Sequence, residues 1–323
     1  MAEAVMTAPL RWRTVLSFIG VGMLIYASLF AMSEALVYRN GHANPFFKTA
    51  TADLQTYDWV ILGASHAMPL DLRDTEQHIE AATGLSFINL AVQGAGPLYN
   101  RLVLEEFLER HSAKAILYAV DSFAFRSRLW NEDRLADAKL LRRTPFDFSI
   151  AARLASYVAK EGADWRALLD YLTGFSKINN RERFAVDTWE GEVQFARRYR
   201  PSAQAEDDRI AYLYPVRSDD PAVLERYLDE FDELLALAEA HGAKVLVIKM
   251  PVPPRFYGKL PGEAEFDSRL EERLEARRIQ FEDYSLMFEE SRFYFDSDHL
   301  GEAGIEAFLD RALRPLLTER DAQ

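Results

Sequence analysis

Apolar positions along the chain follow several rhythms, and each predicts a different kind of element. Near the N-terminus, 20 consecutive residues from Thr14 to Ser33, TVLSFIGVGMLIYASLFAMS, carry no charge between Arg13 and Glu34. Farther on, short unbroken apolar runs end at a turn residue: Trp59 to Leu62 before Gly63-Ala64-Ser65, residues 86–92 before Gly94, and residues 114–120 before Asp121. Such runs read as buried strands. Residues 72–83, ending at Gly84, and the amphipathic stretch 98–110 read as helices between them. From about Phe125 to Pro215 the rhythm breaks into Arg-, Asp- and aromatic-rich pieces with helical patches and no clear strand. Alternation then returns, with a helix at 221–241, a strand at 244–250, a helix around 263–277, a short strand RIQFEDY and a final helix from about Gly301 to Leu317.

Strand–helix alternation predicts right-handed crossovers and a sheet covered on both faces. The expectation is an α/β fold, a three-layer α/β/α sandwich with a mainly parallel five-stranded sheet, an N-terminal transmembrane helix and a helical insertion at about 125–215. The corresponding domain division is 1–39 for the cytoplasmic N-terminus and anchor, and 40–323 for an extracytoplasmic domain.

The uncharged run suits a membrane: about 20 apolar residues at about 1.5 Å each match a hydrocarbon core of about 30 Å. Arg11 and Arg13 precede it with only Glu3 opposing them, so the positive-inside rule puts the N-terminus in the cytoplasm. A cleaved signal peptide is the competing reading, although its apolar region is usually shorter, about 7–15 residues.

Charge and composition narrow the chemistry. The chain of 323 residues has a net charge of −13 and no cysteine. Residues 1–39 hold three arginines against two glutamates, so the acidity belongs to the exported part, which carries −14. Lacking cysteine, the chain has no disulfide framework, thiolate metal site or thiol nucleophile. Nucleic acid is an unfavourable partner for so acidic a protein. The six histidines, at 42, 66, 78, 111, 241 and 299, show no ligand spacing, so neither a metal nor a cofactor is expected.

Three segments fall at the carboxyl ends of predicted strands, where an open parallel sheet places ligands. Ser65 follows the first strand and Gly94 the second, while Asp296 and His299 lie in FYFDSDHLGEAG before the last helix. A serine nucleophile needs a base to take its proton and a carboxylate to orient that base, and these residues supply the set. Gly63 permits a tight turn, and the amides of Ser65 and Gly94 are candidate oxyanion donors. Asn89, Asp121 and His66 complete the candidate oxyanion and substrate-binding residues. Each has a plain structural reading too: Asn89 bonding backbone at the strand end, Asp121 stabilising its loop, His66 lining the pocket or capping a helix. Asp298 reads as an N-cap of the last helix, or as the acid that orients His299 in place of Asp296. The Arg-rich pieces at 126–134 and 197–200 are solvated faces or hold an anionic acceptor.

GASHA, NLAVQG and the Asp-x-x-His pair resemble the SGNH (GDSL-like) hydrolase superfamily. The resemblance covers residues 58–121 and 244–316. It implies that Ser65 is the nucleophile, that Asp296 and His299 complete a triad, and that the Ser65 and Gly94 amides form part of the oxyanion hole. Two positions depart from the pattern: Ala64 stands where an acid precedes the serine, and Val120 where the family's oxyanion asparagine is expected. The variant is similar to membrane-anchored SGNH-like proteins of alginate acetylation and teichoic-acid D-alanylation, which work beside a membrane-bound O-acyltransferase. That resemblance implies a serine acyltransferase or acetylesterase acting on a cell-surface glycan, or else a catalytically silent partner of the acyltransferase. A secreted lipase or esterase is a third reading. An α/β-hydrolase fits less well, because its G-x-S-x-G would need glycine where Ala67 stands.

Overall fold

The computed structural model describes residues 12–215 and 220–321. Two charges flanking the apolar run, Glu3 and Arg11, lie outside the described residues. Five strands form one sheet: β1 (Thr56–Gly63), β2 (Phe87–Asn89), β3 (Ser112–Ala119), β4 (Lys244–Lys249) and β5 (Gln280–Asp283). Their order is β2-β1-β3-β4-β5 and every pairing is parallel. Ile61 lies in register with Asn89 on one side and Leu117 on the other, and Leu117 with Leu246.

Successive strand residues face opposite sides of a sheet, and here both sides are apolar. Val60, Leu62, Ile116, Tyr118, Val245 and Val247 belong to one buried cluster. Trp59, Ile61, Leu117, Ala119, Leu246 and Ile248 belong to a second. The first is covered by α3 (Pro97–Arg110), α7 (Pro221–Ala240) and α8 (Glu263–Arg277); the second by α2 (Thr75–Thr83) and the terminal helix that begins at Glu302. This is the three-layer sandwich that continuous apolar strands require.

Between β3 and α7 the described residues hold helices and turns. The longer ones are α4 (Phe148–Lys160), α5 (Trp165–Thr173) and α6 (Ala203–Leu213). Ahead of the sheet, α1 (Trp12–Asn40) is long and apolar enough to cross a membrane, and none of its apolar window is buried against the protein.

Several elements differ from the sequence expectation. The second strand stops at Asn89 rather than running to residue 92, because the Asn89 carboxamide accepts from the Ala91 amide at 3.0 Å and donates to the Ala67 carbonyl at 2.9 Å. The helix expected from residue 72 starts at Thr75, after Arg73 and Asp74 turn the chain with positive φ. The last helix gives way to a π turn at Leu309–Leu313 before continuing to Asp321. Most informative is α3, expected to be half exposed: its polar residues Asn100, Arg101 and Glu106 are buried. Its outer side is met by α4 and α7, where Arg101 pairs with Glu161 and Glu230 and Glu106 accepts from Ser149.

Candidate functional site

In a sheet of this order the chain leaves β1 toward β2 and then crosses back to β3, so the crevice between the carboxyl ends of β1 and β3 is the topological switch point. Ser65 and His66 follow β1 and Asp121 follows β3, which puts all three at that crevice. Gly63, at φ +142°, makes the turn possible: a Cβ there would come within 2.6 Å of the Ala119 carbonyl oxygen. The Ala67 and Met68 amides donate to the carbonyls of Ala64 and Ser65 and hold the turn tight.

His299 reaches the same crevice from the loop before the terminal helix. Its Nε2 lies 2.9 Å from Ser65 Oγ, and its Nδ1 lies 2.9 and 3.0 Å from the two Asp296 carboxylate oxygens. Asp296 also accepts from the backbone amides of Asp298 and His299, at 3.1 and 2.8 Å, so the Asp-x-x-His spacing closes a loop that fixes both side chains. With Nδ1–H donated to Asp296, the Nε2 lone pair is left to accept the Ser65 hydroxyl proton. The imidazole stacks on Phe295, with planes 4° apart, and meets Trp189 edge-on at 5.2 Å.

His66 bonds carboxylates rather than Ser65. Its Nδ1 bonds Asp121 and its Nε2 lies 3.3 Å from Asp298. Burial alone would push its pKa down, but the facing carboxylates of Asp121 and Asp298 push it up to about 10, so the ring is an imidazolium at neutral pH. Asp298 does not cap the terminal helix, whose N-cap is Gly301 without a side-chain bond. It is instead buried, accepting from Arg209 Nε at 2.8 Å and from Ser297 Oγ at 3.0 Å. Burial would raise its pKa, yet His299, Arg209 and His66 hold it well below the usual carboxylate range. Three carboxylates, Asp121, Asp296 and Asp298, therefore face two fixed cations, His66 and Arg209. The remaining negative charge is balanced when His299 accepts a proton.

The other candidate residues divide. Gly94 has φ +64° and no room for a side chain, since a Cβ would lie 2.6 Å from the Trp130 ring. Among the described residues its amide meets no acceptor and is free to donate. Asn89 spends its side chain on the backbone of Ala67 and Ala91. Val120 is buried among apolar residues and offers no donor. His66, Asp298 and His299 bring possible metal-ligand atoms within 4.8 Å of one another, a cluster that the sequence spacing of the histidines gave no hint of. Each ring nitrogen in it is already bonded to a carboxylate or to Ser65, a donor set occupied by hydrogen bonds.

Arg209 and Trp189 come from the insertion and carry no sequence motif; only the tertiary fold brings them to the site. The segment bearing Trp189 is stitched to the histidine loop, with the Tyr199 amide donating to the Tyr294 carbonyl at 2.9 Å and the Glu302 amide to the Phe195 carbonyl at 3.0 Å. Trp189 also walls a polar cavity of about 370 Å³ that Asn44, Gln93, Arg134 and Lys139 help to line.

No protein-family model matches the chain, and no curated protein sequence does. Among solved structures, it is similar to a candidate acylhydrolase from Bacteroides fragilis, at 10% identity and TM-score 0.42 over 84% of this chain and 93% of the other. It is also similar to a GDSL-like lipase from Bacteroides thetaiotaomicron, at 10% identity and TM-score 0.39 over 82% and 89%.

Proposed function

We propose that the chain is a membrane-anchored serine acyl-transfer enzyme, an O-acetyltransferase or acetylesterase acting outside the cytoplasmic membrane on a cell-surface or secreted glycan. The observation that carries the reading is the continuous contact series from Asp296 through His299 to Ser65. Ser65 Oγ attacks the acyl carbonyl carbon while its proton passes to His299 Nε2, and Asp296 stabilises the imidazolium. The Ser65 and Gly94 amides donate to the developing oxyanion. The leaving alkoxide takes the proton from His299, and an ester remains on Ser65. A glycan hydroxyl, or water, then gives its proton to His299, attacks that ester and restores Ser65.

Two features support the substrate and the setting. The cavity beside Trp189 is lined by amide, cationic, acidic and aromatic side chains, Asp187 and Glu190 among them, a lining suited to a sugar. A neighbouring cavity of about 320 Å³ shares Ala43, Met68, Asp187 and Trp189 with it and includes His42, so this groove starts just past the end of α1. The end of α1 is built into the domain: Ser33, Val37 and Asn40 are buried, and Glu34 pairs with Lys177. That integration favours an uncleaved anchor, with the N-terminus in the cytoplasm by the positive-inside rule. Covalent labelling by a fluorophosphonate tests the mechanism: the reading expects an adduct that Ser65→Ala abolishes, along with acyl transfer, in a protein that still folds and stays in the membrane.

A second reading, a catalytically silent partner of a membrane-bound O-acyltransferase, is favoured by Val120 in place of a third oxyanion donor and by a Ser65 only 2% exposed. Absence of any Ser65 adduct in folded protein is the outcome that reading expects.

A further inference from the structure

On α5, Trp165, Leu169 and Leu172 stand at i, i+4 and i+7, one stripe of a helix. All three are exposed, at 58%, 49% and 47%, and Phe148 and Phe175 beside them are 79% and 60% exposed. The opposite face of α5 is spent on the fold, with Ala167 and Tyr171 buried. Clustered large apolar side chains facing water mark a surface that something covers.

The position of this stripe along α1 says what covers it. The Tyr26 hydroxyl donates to the Thr173 carbonyl at 3.0 Å, at the end of α5. The Phe30 ring packs against Gly174 and, edge-on at 5.6 Å, against Phe146, which in turn meets Phe148 at 5.2 Å. Lys177 pairs with Glu34, the first charge after the apolar run. The insertion thus descends α1 from Glu34 to Tyr26, eight residues or about 12 Å at about 1.5 Å per residue. A segment docked at that depth on a membrane-spanning helix lies below the headgroups.

We propose that α5 and its flanking Phe148 and Phe175 are a second membrane contact, seated in the outer boundary of the bilayer that α1 crosses. This rests on the reading of α1 as an anchor. The depth matches that of interfacial amphipathic helices, about 5–10 Å into the headgroup–acyl boundary. Trp165, with the Arg166 guanidinium 6.0 Å from its ring, is the aromatic and cationic pair favoured at that level. Asp164, the N-cap of α5, lies next to Arg166 and faces the headgroups with it. Held at two points, the domain cannot swing about α1, and its groove stays at one height above the lipid.

The chain has no native cysteine, so single cysteines are unique labels. The full chain carrying Leu169→Cys, Leu172→Cys, Val21→Cys in α1, or Glu271→Cys as an aqueous reference is labelled with an environment-sensitive fluorophore. Each is reconstituted in phosphatidylcholine–phosphatidylglycerol vesicles and quenched by iodide or by lipids bearing shallow or deep nitroxides. The proposal expects Leu169 and Leu172 labels to lose iodide quenching and gain shallow-nitroxide quenching, with the Val21 label quenched from deeper in the acyl chains. Iodide-accessible Leu169 and Leu172 labels beside a lipid-quenched Val21 label overturn the proposal and leave the anchor standing. An iodide-accessible Val21 label overturns the anchor, and the proposal with it. Labels at 169 and 172 shielded from both quenchers assign the stripe to a protein contact and overturn the lipid reading.

Discussion

His66 and His299 lie with ring centroids 4.9 Å apart and planes at 64°, yet they are held by different partners. His66 is clamped between two carboxylates and keeps its proton, whereas His299 has one ring nitrogen on Asp296 and the other on Ser65. The sequential neighbour of Ser65 bonds Asp121 and Asp298 instead of the serine.

Replacing Asp296 by asparagine removes the acceptor that holds the Nδ1 proton and favours the wrong tautomer. We expect Asp296→Asn to lower kcat by about 10³–10⁴-fold, by analogy with other serine triads. KM for an acetyl ester should change little. Steady-state kinetics on a chromogenic acetyl ester measures this, and a variant with near-normal kcat would remove Asp296 from the mechanism.

The raised pKa of His66 gives stability a definite pH dependence. Its contribution is full below about pH 6.5, the ordinary histidine value, and is lost as pH rises through about 10. Asp298 acts in the other direction, its contribution being present above the ordinary carboxylate range and lost in strong acid. Chemical denaturation from pH 6 to 10 should therefore show declining stability, by up to about 1.4 kcal/mol per pH unit for the single proton. His66→Gln should flatten that slope; an unchanged slope would assign it to other groups.

Arg209 lends the insertion's charge to the buried Asp298. Arg209→Ala leaves that carboxylate with one fewer charged donor, at a cost of about 1.5–3 kcal/mol. Because Asp298 also helps to hold His66, activity should fall too. Arg209→Lys should recover part of the stability by restoring the cation without the guanidinium geometry. A urea midpoint for Arg209→Ala equal to wild type would refute the coupling.

Gly94→Ala tests the proposed oxyanion donor. The left-handed backbone costs a side chain about 1–2 kcal/mol, and the Trp130 ring must move because a Cβ would lie 2.6 Å from it. Displacing the amide should cost about 10²–10³ in rate. Stability loss without a rate loss would confine Gly94 to a structural role.

How much of this was legible in the sequence follows from how local each feature is. The central strands could be read because β1, β3 and β4 are buried over most of their length and appear as apolar runs, whereas the edge strand β5, Gln280–Asp283, is only partly buried and carries a weaker signal. Asp296 and His299 could be read because three residues of spacing suffice to bond the aspartate to the histidine ring and amide. The burial of α3 could not: Arg101 and Glu106 look solvent-facing until α4 and α7 supply their partners, and Asn100 until the Gly63 amide and the Tyr118 hydroxyl of the sheet supply its own. Asp298 looked like a helix cap because acids often stand there, while its actual partners, His66 and Arg209, are 232 and 89 residues away. The clustering of His66, Asp298 and His299 is equally a product of the crossover topology.

The two backbone bonds that tie Tyr199 to Tyr294 and Phe195 to Glu302 bear on modularity. An insertion joined to its host only at its ends can be exchanged among relatives like a cassette. This one shares main-chain bonds with the loop that carries His299 and contributes Arg209 to the charge cluster, so swapping it would also re-aim the His299 ring. Any exchange of the insertion has to keep residues 195–199 and Arg209 with the histidine loop and vary only the walls around them.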